Sequence, residues 1–382
     1  MTNKVSIFVH SCEGTTGVDD QLVKYLVGLN KIKTIIHIKF PFINSKNGGI
    51  KTVVYGKDIK RAESRVRFYK PEILSYLKDI VYSFIYGIKY ATKSDIFISS
   101  PNILCVVGIF LKKIRLVKKT VYYLIDYSPT RYSNKILNKI YYSIDKFCCY
   151  GVDEVWSLNK EMIESRIADN CWDSDRIEFK VVPYGNNSDN LTRLDHEKHD
   201  RRKIVYFGGV YKNKGSELFV PLVKSLKKTL KDKFKVIVIG GGEYKTLRKE
   251  VRDNKLARYF KIYGPISSMD RVQKIMVKCG VGIAPYYPHD KNNFSYYADP
   301  GKIKDYLGCG LPVVITGVPP ISKTIIKKGA GVCAKYDPSS FADSIRKVLG
   351  SDYKKYQSSS IKLGLEYSWN SIYNSLFRDL LR

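Results

Sequence analysis

The chain has 382 residues and a formal net charge of +30, enough length for two domains of roughly 100–200 residues each and enough charge to favour anionic surroundings. Its hydrophobic content of 44% excludes a disordered polypeptide. The longest apolar run, near residues 103–111, falls far short of the ~20 residues a membrane-spanning helix needs. Residues 1–10 enter a first strand without the basic start and apolar core of a signal peptide, so a cytoplasmic location is expected. Eight cysteines form no C-x-x-C pair, and the expectation is buried, reduced thiols.

Apolar runs bounded by turn residues alternate with helical patterns along the whole chain, the signature of parallel α/β sheets. In the first half, strands are expected at 5–9, 34–40, 51–55, 95–99, 120–125, 154–157 and 178–182, with helices at 19–29, 72–90, 102–111, 134–150 and 160–168. The first strand runs into a loop of small residues that includes Gly14, Thr16 and Gly17, with Asp19 and Asp20 placed to cap the helix that follows. On helix 72–90, Ile73, Leu77, Ile80, Phe84 and Ile88 form one stripe, read as core. Tyr82, Tyr86 and Tyr90 form a second stripe, preceded by Lys57, Lys60, Arg61, Arg65, Arg67 and Lys70. Basic charge beside tyrosines across 57–90 suits contact with an anionic membrane surface, and a solvated basic loop is the alternative. After the strand at 120–125 come Asp126 and Arg131.

Residues 185–202 are polar and aperiodic, the composition of a linker. This divides the chain into a first domain over 1–184, the linker, a second domain over 203–360 and a C-terminal helical tail over 361–382. Strands of the second domain are expected at 203–207, 235–239, 261–263, 281–285, 312–316 and 331–334. Its first strand runs into Phe207-Gly208-Gly209-Val210-Tyr211-Lys212-Asn213-Lys214-Gly215. Glycines follow the next strands at 240–242 and at Gly264, and Pro285-Tyr286-Tyr287 ends another. The most informative stretch is Asp299-Pro300-Gly301-Lys302-Ile303-Lys304-Asp305-Tyr306, a loop and the opening of a short helix. Pro300 suits a helix start, whose free N–H groups attract phosphate, while Asp305 about one turn later is placed to accept bonds from sugar hydroxyls.

Together these two segments resemble the donor site of family-4 glycosyltransferases of the GT-B type. The resemblance implies two Rossmann-like parallel-sheet domains facing a cleft, with a C-terminal helix crossing back to the first domain. It covers residues 180–350 well and the first domain loosely. It implies a nucleotide-sugar donor, a glycan or lipid-linked acceptor, a retaining reaction, and neither metal nor other cofactor. By the resemblance Lys214 stabilises the leaving diphosphate, Lys302 meets phosphate or the transferred sugar, and Asp305 holds the ribose. Gly208, Gly209, Gly264, Pro285, Tyr286 and Asp299 complete the donor side. On the acceptor side stand Gly14, Thr16, Gly17 and Arg131, with Asp126 orienting or deprotonating the acceptor hydroxyl.

The chain departs from the family pattern at three positions: Gly209 replaces an arginine, Tyr297 a first acid and Ile125 a histidine. A non-catalytic GT-B-like binding protein is the alternative these departures suggest. Charge alone suggests a nucleic-acid binder, but no nucleic-acid motif supports it, and no such partner is expected.

Overall fold

The computed structural model describes residues 3–11, 16–42, 49–66, 72–195 and 197–380. The chain forms two compact units, Met1–Val182 with Tyr373–Arg382, and Pro183–Ile372.

Unit 1 contains, in chain order, β1 (Lys4–Ser11), α1 (Val18–Gly28), β2 (Thr34–Pro41), β3 (Gly49–Tyr55), β4 (Ile59–Arg65), α2 (Glu72–Tyr86), β5 (Ser94–Ser100), α3 (Asn102–Lys113), β6 (Val117–Leu124), α4 (Lys135–Gly151), β7 (Glu154–Ser157), α5 (Lys160–Asp169) and β8 (Phe179–Val181). The sheet order is β4-β3-β2-β1-β5-β6-β7-β8. Its neighbours are parallel except for the antiparallel pairs β2–β3 and β3–β4. Strand order reverses between β1 and β5, where an open α/β sheet builds its ligand crevice.

Strand β4 falls where the sequence reads as a basic loop. It alternates no apolar residues because it is an exposed edge, and Lys60, Arg61 and Arg65 keep that edge from pairing with other chains. Arg67 and Lys70 lie outside the described residues, as does the side chain of Ile73.

Unit 2 contains β9 (Asp200–Phe207), α6 (Phe219–Leu230), β10 (Lys235–Ile239), α7 (Tyr244–Asp253), β11 (Phe260–Gly264), α8 (Met269–Met276), β12 (Cys279–Ala284), α9 (Gly301–Gly308), β13 (Val313–Ile315), α10 (Ile321–Lys328), β14 (Gly331–Cys333), α11 (Pro338–Val348) and α12 (Tyr353–Glu366). Its all-parallel sheet has the order β11-β10-β9-β12-β13-β14, that of a dinucleotide-binding fold, with the switch point between β9 and β12. Alternate strand residues enter two separate cores. Ile204, Tyr206, Val236 and Val238 pack with α6, α7 and α11 on one face. Val205, Ile237 and Ile239 pack with α8, α9 and α10 on the other. Burial on both faces explains why these strands read as continuous apolar runs.

The stretch read as a linker is ordered inside unit 2. The Asn186 amide donates to the carbonyls of Lys304 at 2.9 Å and Gly364 at 3.0 Å, and buried His199 lies among Cys279, Tyr353 and Gln357. Side-chain hydrogen bonds hold this segment where apolar contacts would hold another, so its composition resembles that of a free linker.

The tail is two helices, α12 and α13 (Trp369–Leu380). From Tyr373 onward it belongs to unit 1, where the Tyr373 hydroxyl donates to the Val18 carbonyl at 3.1 Å and Phe377 meets the Trp156 ring edge-on. No described helix is long and apolar enough to cross a membrane. The described cysteines are free thiols.

Candidate functional site

The loops that follow β9, β10 and β11 are fastened to one another by backbone bonds. Gly208 N–H donates to Ile239 O, Gly240 N–H to Gly264 O, and Val210 N–H to Gly241 O, each at 2.9 Å. Gly240 has φ +154°, and a Cβ there would sit 1.8 Å from the Gly208 carbonyl oxygen, so only glycine allows this approach. Gly215, at φ +79°, is pressed against Pro285 in the same way, its Cβ position lying 1.7 Å from the Pro285 carbonyl oxygen. The glycines at 240–242, a weak signal in sequence, therefore shape the rim of the switch point.

Helix α9 is anchored at that switch point by Tyr306. β9 and β12 pair only as far as Val205 and Gly282, and beyond this their backbone groups lose each other. The buried Tyr306 hydroxyl fills the gap, accepting Phe207 N–H at 2.6 Å and donating to Ile283 O at 3.3 Å. The Tyr306 ring lies on Gly282, where a Cβ would come within 2.6 Å of it.

One turn before Tyr306, Lys302 points into the space beside Gly208. Its Nζ is buried without a hydrogen-bond partner, 4.2 Å from the Tyr206 ring centroid and 4.4 Å from that of Tyr286. Burial, and then the nearby Lys214 ammonium, hold its pKa well below the ordinary lysine range. Lys214 is half-buried, its Nζ 3.8 Å from the Cβ position of Gly209, and burial lowers its pKa too. Neither ammonium has a carboxylate partner among the described residues. Two lysine nitrogens converging without a carboxylate, one of them buried, make a candidate anion site, because an anion placed there would restore the charged form that burial disfavours.

The Asp305 side chain, on the same helix, makes no hydrogen bond or ion pair among the described residues, and burial pushes its carboxyl up to about 7. It is thus an acceptor with its bonding capacity unspent.

Two sequence expectations change here. Asp299 does not face a sugar: its carboxylate is buried, accepts the Tyr184 N–H at 2.7 Å and pairs with Lys304 at 2.8 Å. Tyr286 is buried as one wall of the Lys302 cage, so its ring is not free to stack on a base. Pro285 is buried at Gly215, and Gly264 receives the Gly240 N–H while resting on the Tyr244 ring. The residue that sequence reasoning missed is Tyr206, whose ring meets Lys302 and whose hydroxyl donates to Gly209 O at 2.7 Å. Inside an apolar strand, nothing marks one tyrosine as part of a site.

In unit 1, Asp126 and Arg131 form an ion pair at 3.0 Å, and the Arg131 guanidinium lies 4.7 Å from the Tyr141 ring centroid. Both line a cavity at the switch point with His10, Ser100 and Ile125. The His10 ring is buried, its Nε2 3.4 Å from the Asp79 carboxylate. Buried Arg166 donates from Nη2 to Asp126 O at 2.6 Å and pairs through Nη1 with Asp145. Gly17 caps α1, its N–H donating to Asp20 at 3.0 Å, with Thr16 just before it. Gly14 lies outside the described residues. The acids of α1 are occupied: Asp19 bonds His37 at 2.9 Å, and the Lys39 ammonium lies 2.6 Å from Asp20 and 3.5 Å from Asp19. That ammonium fills the one acid–histidine cluster found among the described residues.

Residues 201–351 match the family model described as glycosyl transferases group 1. No curated protein matches the chain in sequence. Solved structures match its fold over nearly their full length. Sucrose-phosphate synthase from Thermosynechococcus elongatus has a TM-score of 0.70 at 15% identity, with 98% of each chain covered. HepE from Anabaena, in complex with UDP, has a TM-score of 0.70 at 13% identity and 99% coverage of each chain. A glycosyltransferase from Rickettsia africae has a TM-score of 0.69 at 17% identity, covering 100% of this chain and 99% of its own. The fold these neighbours share is built from two Rossmann-like units. The chain shares the GT-B fold of these proteins, and residues 201–351, within its second unit, match the group 1 glycosyl transferases.

Proposed function

We propose that unit 2 binds a nucleotide-sugar donor, its diphosphate at Lys214 and Lys302 and its ribose hydroxyls at Asp305, and that the enzyme transfers the sugar with retention to a glycan or lipid-linked acceptor. The observation that carries this reading is the buried Lys302 ammonium, unpartnered and close to a second cation at the switch point. A diphosphate supplies the missing anion. As the sugar leaves, negative charge grows on the distal phosphate. Lys214 beside Gly209 stabilises that charge more in the transition state than in the ground state, which is what raises the rate.

On the acceptor side, Asp126 is the half-exposed carboxylate of the unit 1 cavity, held by Arg131 and by the Arg166 bond to its carbonyl. It orients the acceptor hydroxyl, with Thr16 and Gly17 at the start of α1 on the same side of the sheet. The two ammonium groups supply the charge that a divalent cation would otherwise bring, so turnover is metal-independent. Loss of turnover on adding a chelator, restored by a divalent cation, would remove that part of the reading.

The experiment is thermal melting with UDP-, GDP-, ADP-, CMP- and TDP-sugars, UDP first because HepE is known with UDP bound. A donor at 100 times its dissociation constant stabilises by about 2.7 kcal/mol. A shift with one nucleotide class, lost in Asp305→Ala, supports the site. No shift with any donor up to millimolar concentration overturns it.

A further inference from the structure

Of the stripe on α2 and just beyond it that reads as core in sequence, Ile80 and Phe84 pack against the unit 1 core, while Leu77 and Ile88 face outward. Leu77, Val81, Ile85 and Ile88 are 53–57% exposed. The tyrosines expected outside are turned in: Tyr82, Tyr86 and Tyr90 pack against the unit 1 core, and the Tyr86 hydroxyl donates to Ser64 at 2.7 Å. The buried face of α2 carries small and polar groups, Ser75, Asp79 and Ser83, followed by Gly87, which presses on Leu111 of α3. A helix that buries serines and exposes isoleucines is arranged against its own solvation in water.

The exposed stripe continues across neighbouring helices. Phe84 of α2 lies 5.9 Å from Phe110 of α3, and Phe110 lies 6.4 Å from Phe147 of α4, measured between ring centroids. Phe110 and Ile114 extend the apolar surface at the end of α3, and Ile136, Ile140 and Phe147 extend it along α4, with Ile136 71% exposed. A contiguous apolar face over three helices is larger than isolated surface side chains account for.

Charge identifies the occupant. Lys89, Lys113, Arg115, Lys135 and Lys139 are exposed on or next to these helices, while Asp79 and Asp145 are buried in ion pairs. Among the side chains described on α2, α3 and α4, no carboxylate is exposed. A second copy of the chain would set these cations against their own kind, whereas an anionic bilayer neutralises them and takes up the apolar side chains. We infer that the α2–α3–α4 face of unit 1 docks onto the surface of a bilayer rich in anionic lipid, with Leu77, Val81, Ile85 and Ile88 inserted and the flanking lysines and arginine at the headgroups. This inference stands apart from the donor-site reading.

Sedimentation of the full chain with vesicles tests it. Binding to phosphatidylcholine vesicles containing phosphatidylglycerol is expected, with much weaker binding to phosphatidylcholine alone and release at high salt. Val81→Asp with Ile85→Asp, both at exposed sites, is expected to lower vesicle affinity by about tenfold or more with the melting temperature unchanged. Lys113→Glu with Arg115→Glu should weaken binding to the anionic vesicles on the order of tenfold as well. Absence of binding to anionic vesicles, or binding that both variants leave unchanged, overturns the proposal. So does a concentration-dependent dimer that the aspartate variant dissociates, which would show that a second copy covers this face. Donor-induced melting shifts in the same variants separate the two readings, since the docking variants leave them intact.

Discussion

The Tyr306 hydroxyl accepts the Phe207 N–H at 2.6 Å and reaches Ile283 O at 3.3 Å, so one side chain joins the carboxyl ends of β9 and β12 where the sheet parts. Lys302 and Asp305 ride on the same helix, and this bond sets their position. Tyr306→Phe keeps the ring on Gly282 but leaves a buried N–H unpaired, at a cost of about 1–3 kcal/mol. Urea unfolding should show that loss, with a raised KM for the donor. An unchanged unfolding midpoint would mean the hydroxyl does not anchor the helix.

Lys302→Met separates stability from function. A buried lysine with a lowered pKa holds its proton less well folded than unfolded, so its contribution to stability is lost as pH falls below the ordinary lysine range. Methionine removes that penalty. At neutral pH the ligand-free variant should melt no lower than the parent while losing the donor-induced shift. A lower melting temperature with a retained donor response would refute the anion-site reading.

Donor binding should also weaken in mild acid. Burial raises Asp305 to about 7, above its unfolded value, so the stability it contributes is full below the unfolded pKa and declines as pH rises through 7. The carboxylate proposed to accept the ribose bonds forms over that same interval. Donor affinity is therefore expected to be weaker at pH 6 than at pH 8. Asp305→Asn should flatten this dependence and raise ligand-free stability at pH 8. Calorimetric titration at both pH values is the check, and equal affinities in the parent would remove Asp305 from the ribose.

Asp145→Ala should destabilise unit 1 by about 3–5 kcal/mol, because it strands the buried Arg166 guanidinium that also holds the Asp126 carbonyl. Chemical unfolding measures the loss. A cost below about 1 kcal/mol would show that Arg166 finds other partners.

Much of the architecture was legible because strands buried on both faces leave continuous apolar runs and the glycines after β9 mark a turn. The missed strand β4 has no such run, since an edge strand exposed to water need not be apolar. The error on α2 has a different cause. Periodicity locates a stripe without saying how far round the helix the core reaches, and here the core receives Ile80 and Phe84 but not Leu77 or Ile88. Asp305 and, as a lesser candidate, Asp299 are both read from sequence as donor-side acids. Their roles part only because Lys304 and the Tyr184 N–H reach one and not the other.

The sequence by itself determined the alternation of strands and helices, the glycines of the turns after β9 and β10, and the spacing of Lys214, Lys302 and Asp305 on which the proposed donor site rests. These are local properties, set by backbone conformation and short-range periodicity. Tertiary structure alone decided that Tyr206 and Tyr286 enclose the Lys302 side-chain nitrogen, that Asp299 is consumed by an ion pair, and that Leu77, Val81 and Ile85 of α2 meet the outside. Each depends on residues far apart in the chain, and burial, which sets both charge and exposure, exists only once those residues have packed.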